Sequence, residues 1–260
     1  MIETWNLTIP ELTVDEPRRA YVYLPDALNQ DPDARYPVLY MFDGHNLFFD
    51  EDATYGKSWG MLEYMDATQT PLIIAAVECN HDPNNGRLNE YSPFSCRDPE
   101  MGRIKGLGKV TMDWMVKTFK PEIDSNFPTL PDRSHTFIAG SSMGGLMSLY
   151  AVAKYNKYFS RCAALSPSIW LAPDKLEKLL RTARLRPDTV VYMDYGSREL
   201  ANHDDMSRGF AAVAGLLLER GVLLDCRIVP GGEHCEASWE QQIPFFMETL
   251  LYGLDDDGEA

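Results

Sequence analysis

The sequence has no run of about 18 apolar residues, the minimum for a membrane-spanning helix. Its start, Met1-Ile2-Glu3-Thr4-Trp5-Asn6, has neither the basic opening nor the apolar stretch of a secretory leader. A cytosolic protein with no membrane partner is expected. Positive charge is scarce, with 24 Lys and Arg against 39 Asp and Glu and a formal net charge of −15. Nucleic acids and anionic membrane surfaces need clustered cations, so neither is expected as a partner. Cysteine is sparse too: Cys79, Cys96, Cys162, Cys226 and Cys235 are an odd set without C-x-x-C spacing. That argues against a disulfide framework and a cysteine-based zinc site, and predicts free thiols. The acidic residues around Asp43, Asp50 and Asp52 lack His or Cys neighbours in metal-ligand spacing, so no metal and no cofactor is expected. No Pro/Gly/Ser-rich linker or shift of composition divides the chain. One domain is therefore expected over 1–254, followed by a solvated acidic tail at 255–260.

What is present is an ordinary folded composition, 45% hydrophobic and 11% aromatic. Alternation over 3–13 and 19–24 predicts two antiparallel strands at the start. Nearly continuous apolar runs predict a strand buried on both faces at 36–42, a second buried strand at 72–77 and a core strand at 136–139, with further strands at 162–165, 189–195 and 226–229. Between them, helical spacing recurs over 109–127, with Pro121 kinking or ending the regular part, and over 146–158, 173–183, 206–220 and 239–251. Gly221 closes the fourth of these helices. Alternating strands and helices give an α/β class with a mostly parallel central sheet and helices on both faces.

The stretch Gly140-Ser141-Ser142-Met143-Gly144-Gly145 joins a strand to a helix. Ser142 is the centre of a Gly-x-Ser-x-Gly pattern, whose small flanking residues let the chain turn sharply enough to hold a hydroxyl at the sheet end. The helix behind it aims free backbone N–H groups at any negative charge that forms there. Ser142 is thus the candidate nucleophile. The pattern carries chemistry only where an acid and then a histidine follow in chain order. Two acids compete at the end of the 189–195 strand, Asp194 within it and Glu199 past Gly196; the loop position of Glu199 favours it. His234 follows the last strand in the glycine-rich loop Pro230-Gly231-Gly232-Glu233-His234. The order Ser142, Glu199, His234 is that of the α/β-hydrolase fold. His81, His135 and His203 read as surface or satisfied core residues, and Cys235 has a poorer backbone setting than Ser142 for a nucleophile.

The loop Asp43-Gly44-His45-Asn46, after the third strand, occupies the place of a second oxyanion donor, with the N–H of His45 free to point at a carbonyl. A long polar segment, 78–108, contains Arg87-Leu88-Asn89-Glu90-Tyr91-Ser92-Pro93-Phe94, which reads either as a structural brace or as a wall of the site. Trp170 ends a strand at the edge where ligands bind, and lines the pocket or packs.

These residues resemble the "putative esterase" or esterase D branch of α/β hydrolases, which includes feruloyl, acetyl-xylan and siderophore esterases, S-formylglutathione hydrolases and the antigen 85 acyltransferases. The likeness spans most of the chain. It is carried by 36–44 with Ser58-Trp59-Gly60, by GSSMGGLMSLY at 140–150, LSPSIW at 165–170, YMDYGSRE at 192–199 and GGEHCEASW at 231–239. The resemblance implies Ser142 as nucleophile, His234 as base, Glu199 as orienting acid, and the N–H groups of Met143 and His45 as oxyanion hole. It also raises the reading of Arg87 and Tyr91 as residues that shape the site. Trp59, Tyr91, Phe94 and Trp170 suit an aromatic acyl group and equally suit a packed cap. The expected function is a cofactor-independent serine carboxylesterase acting on a small soluble ester derived from carbohydrate or hydroxycinnamate. Acyl transfer to a sugar or alcohol is the alternative within the class. An inactive binding module would have lost a triad member, and none is missing.

Overall fold

A computed structural model describes residues 1–29, 31, 33–200 and 206–254. His203 and the acidic tail at 255–260 lie outside the described residues. Ten strands occur among the described residues: β1 Ile2–Thr8, β2 Pro17–Tyr23, β3 Val38–Met41, β4 Ile73–Val77, β5 Cys96–Asp98, β6 Gly102–Ile104, β7 Thr136–Ser141, β8 Arg161–Leu165, β9 Val190–Gly196 and β10 Leu223–Val229. Eight of them form one sheet in the order β1-β2-β4-β3-β7-β8-β9-β10. The β1–β2 and β2–β4 pairs are antiparallel and all the others are parallel. The α/β-hydrolase arrangement expected from the sequence is therefore the observed one.

The central strands are buried on both faces because successive side chains point to opposite sides. Tyr40, Ile138 and Met193 join one core, and their strand neighbours Leu39, Phe137 and Tyr192 join the other. Over the first face pack the helical run 108–126 (α2), Met143–Lys154 (α3), Pro173–Thr182 (α4) and Met206–Glu219 (α5). Over the second pack Met61–Thr68 (α1) and Ile243–Leu251 (α6). No helix among the described residues is long and apolar enough to cross a membrane.

Four local features depart from the sequence pattern. Residues Pro10–Thr13 form a helical turn rather than more of β1, since Pro10 lacks the N–H a ladder needs and suits the first turn of a helix. The break in α2 is a π-turn at Met115–Phe119, just ahead of Pro121, whose ring and missing N–H force the preceding turn to widen. The segment 78–108 is not one irregular loop: it holds a helical turn, Gly86–Glu90, and the hairpin β5–β6. The C-terminal helical pattern is divided into Glu236–Glu240 and α6, with Pro244 in the first turn of the second piece.

Candidate active site

Ser142 stands between the end of β7 and the first residue of α3 with φ 57° and ψ −118°. Such a backbone costs on the order of 1–3 kcal/mol in a residue with a Cβ, so it persists only where neighbours hold it. Here the Ser142 N–H donates to Leu165 O at 2.9 Å, while Ser142 O accepts from the N–H groups of Leu146 and Ser168 at 3.0 Å each. The glycines of the motif permit the close approach: a Cβ on Gly140 would lie 2.8 Å from the Gly144 backbone. The hydroxyl projects into a cleft, with Ser168 Oγ at 3.4 Å.

The acid and the histidine arrive on two loops that touch through their glycines. The Arg198 N–H donates to Gly232 O at 3.1 Å, and the Ser197 N–H donates to Val229 O at 2.9 Å. A Cβ on Gly196 would sit 2.3 Å from the Gly232 backbone and 2.8 Å from Glu199 Oε1. Gly196→Ala is therefore expected to push these loops apart and lower kcat by about 10²–10³-fold, since a displacement near 1 Å in a catalytic group has that scale of effect. Steady-state kinetics beside a thermal melt checks it; unchanged kcat would show that the two loops need not touch.

Glu199, fully buried, places Oε2 2.6 Å from His234 Nδ1. Its other oxygen accepts from Ser166 Oγ at 2.7 Å and from the Gly196 N–H at 2.8 Å. Ser166 Oγ in turn accepts from Trp239 Nε1 at 3.0 Å, and the Trp239 ring stands edge-on to the His234 ring at 5.1 Å. Burial pushes the Glu199 carboxyl up, but the donors His234, Ser166 and Gly196 outweigh it and hold the group below its ordinary value.

Asp194 has a different setting. It is equally buried, accepts from the Ser166 N–H at 3.1 Å and from Tyr192 OH at 2.8 Å, and receives only a small opposing influence from Arg227 on the neighbouring strand. Burial, reinforced by the Glu199 charge and only partly offset by those bonds, raises its carboxyl to about 7. Of the two acids, the structure brings Glu199 to His234. Because the Asp194 value in the folded chain lies above the unfolded value of 3.8, the folded state binds the extra proton between them, and stability falls as pH rises from about 4 to about 7. Asp194→Asn is expected to flatten that part of the profile, by an amount on the order of a few kcal/mol. Urea unfolding at pH 5 and pH 8 measures it, and equal slopes in the two proteins would contradict the assignment.

Opposite Ser142, the end of β3 passes into a tight turn at Gly44–Asn46, entered through Asp43 in the left-handed conformation, φ 57°. Asp43 is buried and held by Arg87 through two bonds of 2.7 Å. Burial pushes the Asp43 carboxyl up, the guanidinium outweighs it, and the group stays below its ordinary value. The Asp43 N–H donates to Tyr91 OH at 3.3 Å, and Arg87 lies over the Tyr91 ring. The turn's own bonds begin with Asn46 N–H to Asp43 O, which leaves the His45 N–H ahead of them. Met143, as the first residue of α3, likewise has no acceptor one turn back in its helix. Burial holds the His45 imidazole below its ordinary value, with the Asp43 charge offsetting part of the shift.

The cleft, about 240 Å³, is lined by Ser142, His234, His45 and Arg87, and by Tyr55, Glu236 and Trp239 among others. Arg87 is thus both brace and wall, and its neighbour Glu90 pairs with buried Arg18 instead of with Arg87. Tyr91 lies under Arg87 in the core, and Trp59 is buried behind Trp239 at 5.7 Å. Trp170 lines a separate cavity of about 370 Å³ with Ile169 and Pro173. The sequence reading passed over Tyr55, Glu236 and Trp239. Glu236 and Trp239 lie within the GGEHCEASW segment, so their nearness to His234 was the available signal, whereas nothing local marks Tyr55. Burial, with Asp43 nearby, raises the Glu236 carboxyl.

A strand-elbow-helix with a buried acid on a histidine, at the C-terminal edge of this sheet, defines the hydrolase class of the fold. The family model described as "Putative esterase" matches residues 12–249, and the chain belongs to that family. It is accordingly an ester hydrolase of the carboxylesterase type. It is 28% identical to the Bacillus subtilis protein YbbA, described as uncharacterized, over 70% of this chain and 69% of that one. It is 22% identical to the ferri-bacillibactin esterase BesA of Bacillus subtilis over 94% of this chain and 88% of that one. Among solved structures, an IroE-like serine hydrolase from Shewanella oneidensis superposes with a TM-score of 0.76 at 18% identity, covering 98% of this chain and 81% of that one.

Proposed function

We propose that the protein hydrolyses small esters through a covalent acyl-enzyme on Ser142. His234 takes the Ser142 proton as Oγ attacks the carbonyl, Glu199 orients the imidazole and stabilises it once protonated, and the N–H groups of Met143 and His45 receive the oxyanion. His234 then returns the proton to the leaving alcohol, and water, deprotonated by the same imidazole, releases the acid. The observation that carries the reading is the 2.6 Å contact between Glu199 and His234 Nδ1 in the cleft that Ser142 also lines. That bond leaves Nε2 as the nitrogen that exchanges protons with Ser142.

The cleft favours an aromatic acyl group. Tyr55 and Trp239 supply aromatic surface to its lining, and Arg87 and Glu236 supply polar groups for hydroxyl substituents. Hydroxycinnamate and hydroxybenzoyl esters both have that character, and the relative BesA is named as a ferri-bacillibactin esterase. A panel of p-nitrophenyl acetate, methyl ferulate, an acetylated sugar and a 2,3-dihydroxybenzoyl ester tests the reading at equal concentration. The aromatic esters are expected to give the higher kcat/KM. Preference for the acetylated sugar would reject the aromatic assignment, and inactivity on all four would reject hydrolysis of small esters.

A further inference from the structure

Beyond β4 the chain runs Glu78-Cys79-Asn80-His81 and comes against the Gly44–Asn46 turn. His45, Cys79 and His81 come together there, each offering one ligand atom, and these atoms lie within 4.8 Å of one another. The His45 and His81 rings meet edge to face at 4.9 Å. His45 is 4% exposed; its Nε2 is engaged by Thr54 Oγ1 at 3.0 Å, whereas its Nδ1 is buried with no hydrogen-bond partner among the described residues. A buried ring nitrogen without a partner is uncommon, because it has lost water and gained nothing in exchange. With Nε2–H donating to Thr54, Nδ1 carries the free lone pair.

We infer that His45, Cys79 and His81 form a site for one borderline-soft transition-metal cation of the Zn²⁺ class. One sulfur and two imidazoles are the wrong donors for Mg²⁺ or Ca²⁺, which take oxygen, and the right ones for Zn²⁺, Co²⁺ or copper. Metal bonds of about 2.0–2.3 Å set the ligand atoms of a tetrahedral site roughly 3.3–3.7 Å apart. The cluster therefore closes by about 1 Å on binding, and His81, exposed at the surface, is the residue free to move inward. Thr54 on Nε2 is the outer partner that fixes a ligating histidine's orientation. Burial keeps the Cys79 thiol protonated, so the sulfur–metal bond forms as the S–H proton leaves to solvent, and water takes the fourth position. The site uses the His45 ring, not the backbone N–H of that residue, and holds whether or not the hydrolytic steps above are right.

The test uses the full chain, stripped with a chelator, titrated calorimetrically with Zn²⁺ and spectroscopically with Co²⁺. The expected result is saturable binding of one ion per chain and a thiolate-to-cobalt charge-transfer band. His81→Ala is expected to weaken Zn²⁺ binding by about 100-fold or more while leaving metal-free esterase activity unchanged, which separates lost binding from lost folding. Cys79→Ser is expected to remove the charge-transfer band. No saturable binding by the wild type would overturn the site; so would a His81→Ala protein that binds as tightly, or a Co²⁺ adduct without the thiolate band.

Discussion

Replacing Ser142 by alanine is expected to lower kcat for ester hydrolysis by about 10⁵–10⁶-fold, the scale at which a serine hydrolase loses its nucleophile. The fold should survive the change. The elbow is held by backbone bonds from Leu165, Leu146 and Ser168, none of which involves the Ser142 side chain, and the hydroxyl's contact with Ser168 is a long 3.4 Å. Alanine meets the same positive φ as serine, so stability should move by no more than about 0.5 kcal/mol. A Ser142→Ala protein with an unchanged melt and no measurable turnover would place the loss in chemistry. One that retained wild-type kcat would remove Ser142 from the reaction.

Glu199→Gln should cost about 10⁴-fold in kcat, and the reason lies in where the two oxygens point. Glu199 Oε1 accepts from the Gly196 N–H, which is fixed by the backbone, and from Ser166 Oγ. The one oxygen of a glutamine must stay there, which turns its NH₂ toward His234 Nδ1. That nitrogen then has to accept, the proton moves to Nε2, and the imidazole can no longer take a proton from Ser142. Asp194→Asn makes the control. With its carboxyl raised to about 7, Asp194 is largely an uncharged acceptor and donor at pH 6, so there the amide replaces like with like and kcat should change by less than about 10-fold. Steady-state kinetics of both variants at pH 6 decides between the acids, and the reverse order of effects would make Asp194 the functional one.

The sequence reached the sheet and the chemistry further than the walls around them. Continuous apolar runs such as Ile73–Val77 and Val190–Gly196 are buried on both faces, and a pattern of that kind has few other readings. Ser142, Glu199 and His234 were legible because each ends a strand or follows one, and strand ends in a parallel sheet lie along one edge. The hairpin β5–β6 was not legible: Cys-Arg-Asp and Gly-Arg-Ile are too short and too polar to show a period. The Arg87–Asp43 bond joins positions 44 residues apart, beyond the reach of any local pattern. The metal-ligand cluster escaped for the same reason, since His45 meets Cys79 and His81 only after β3 and β4 pair in parallel. Aromatic side chains were the least readable. Trp59 and Tyr91 pack inward while Trp239 lines the cleft, and a ring serves either purpose with the same surface.

The most direct measurement of the central claim is covalent capture of the nucleophile. The protein is treated with a fluorophosphonate, then analysed by intact mass and peptide mapping. One adduct per chain on Ser142 is predicted, with labelling lost in Ser142→Ala and slowed in Glu199→Gln in step with its loss of turnover. An adduct on another residue such as Cys235, or an esterase-active protein that takes no label at Ser142, would contradict the account.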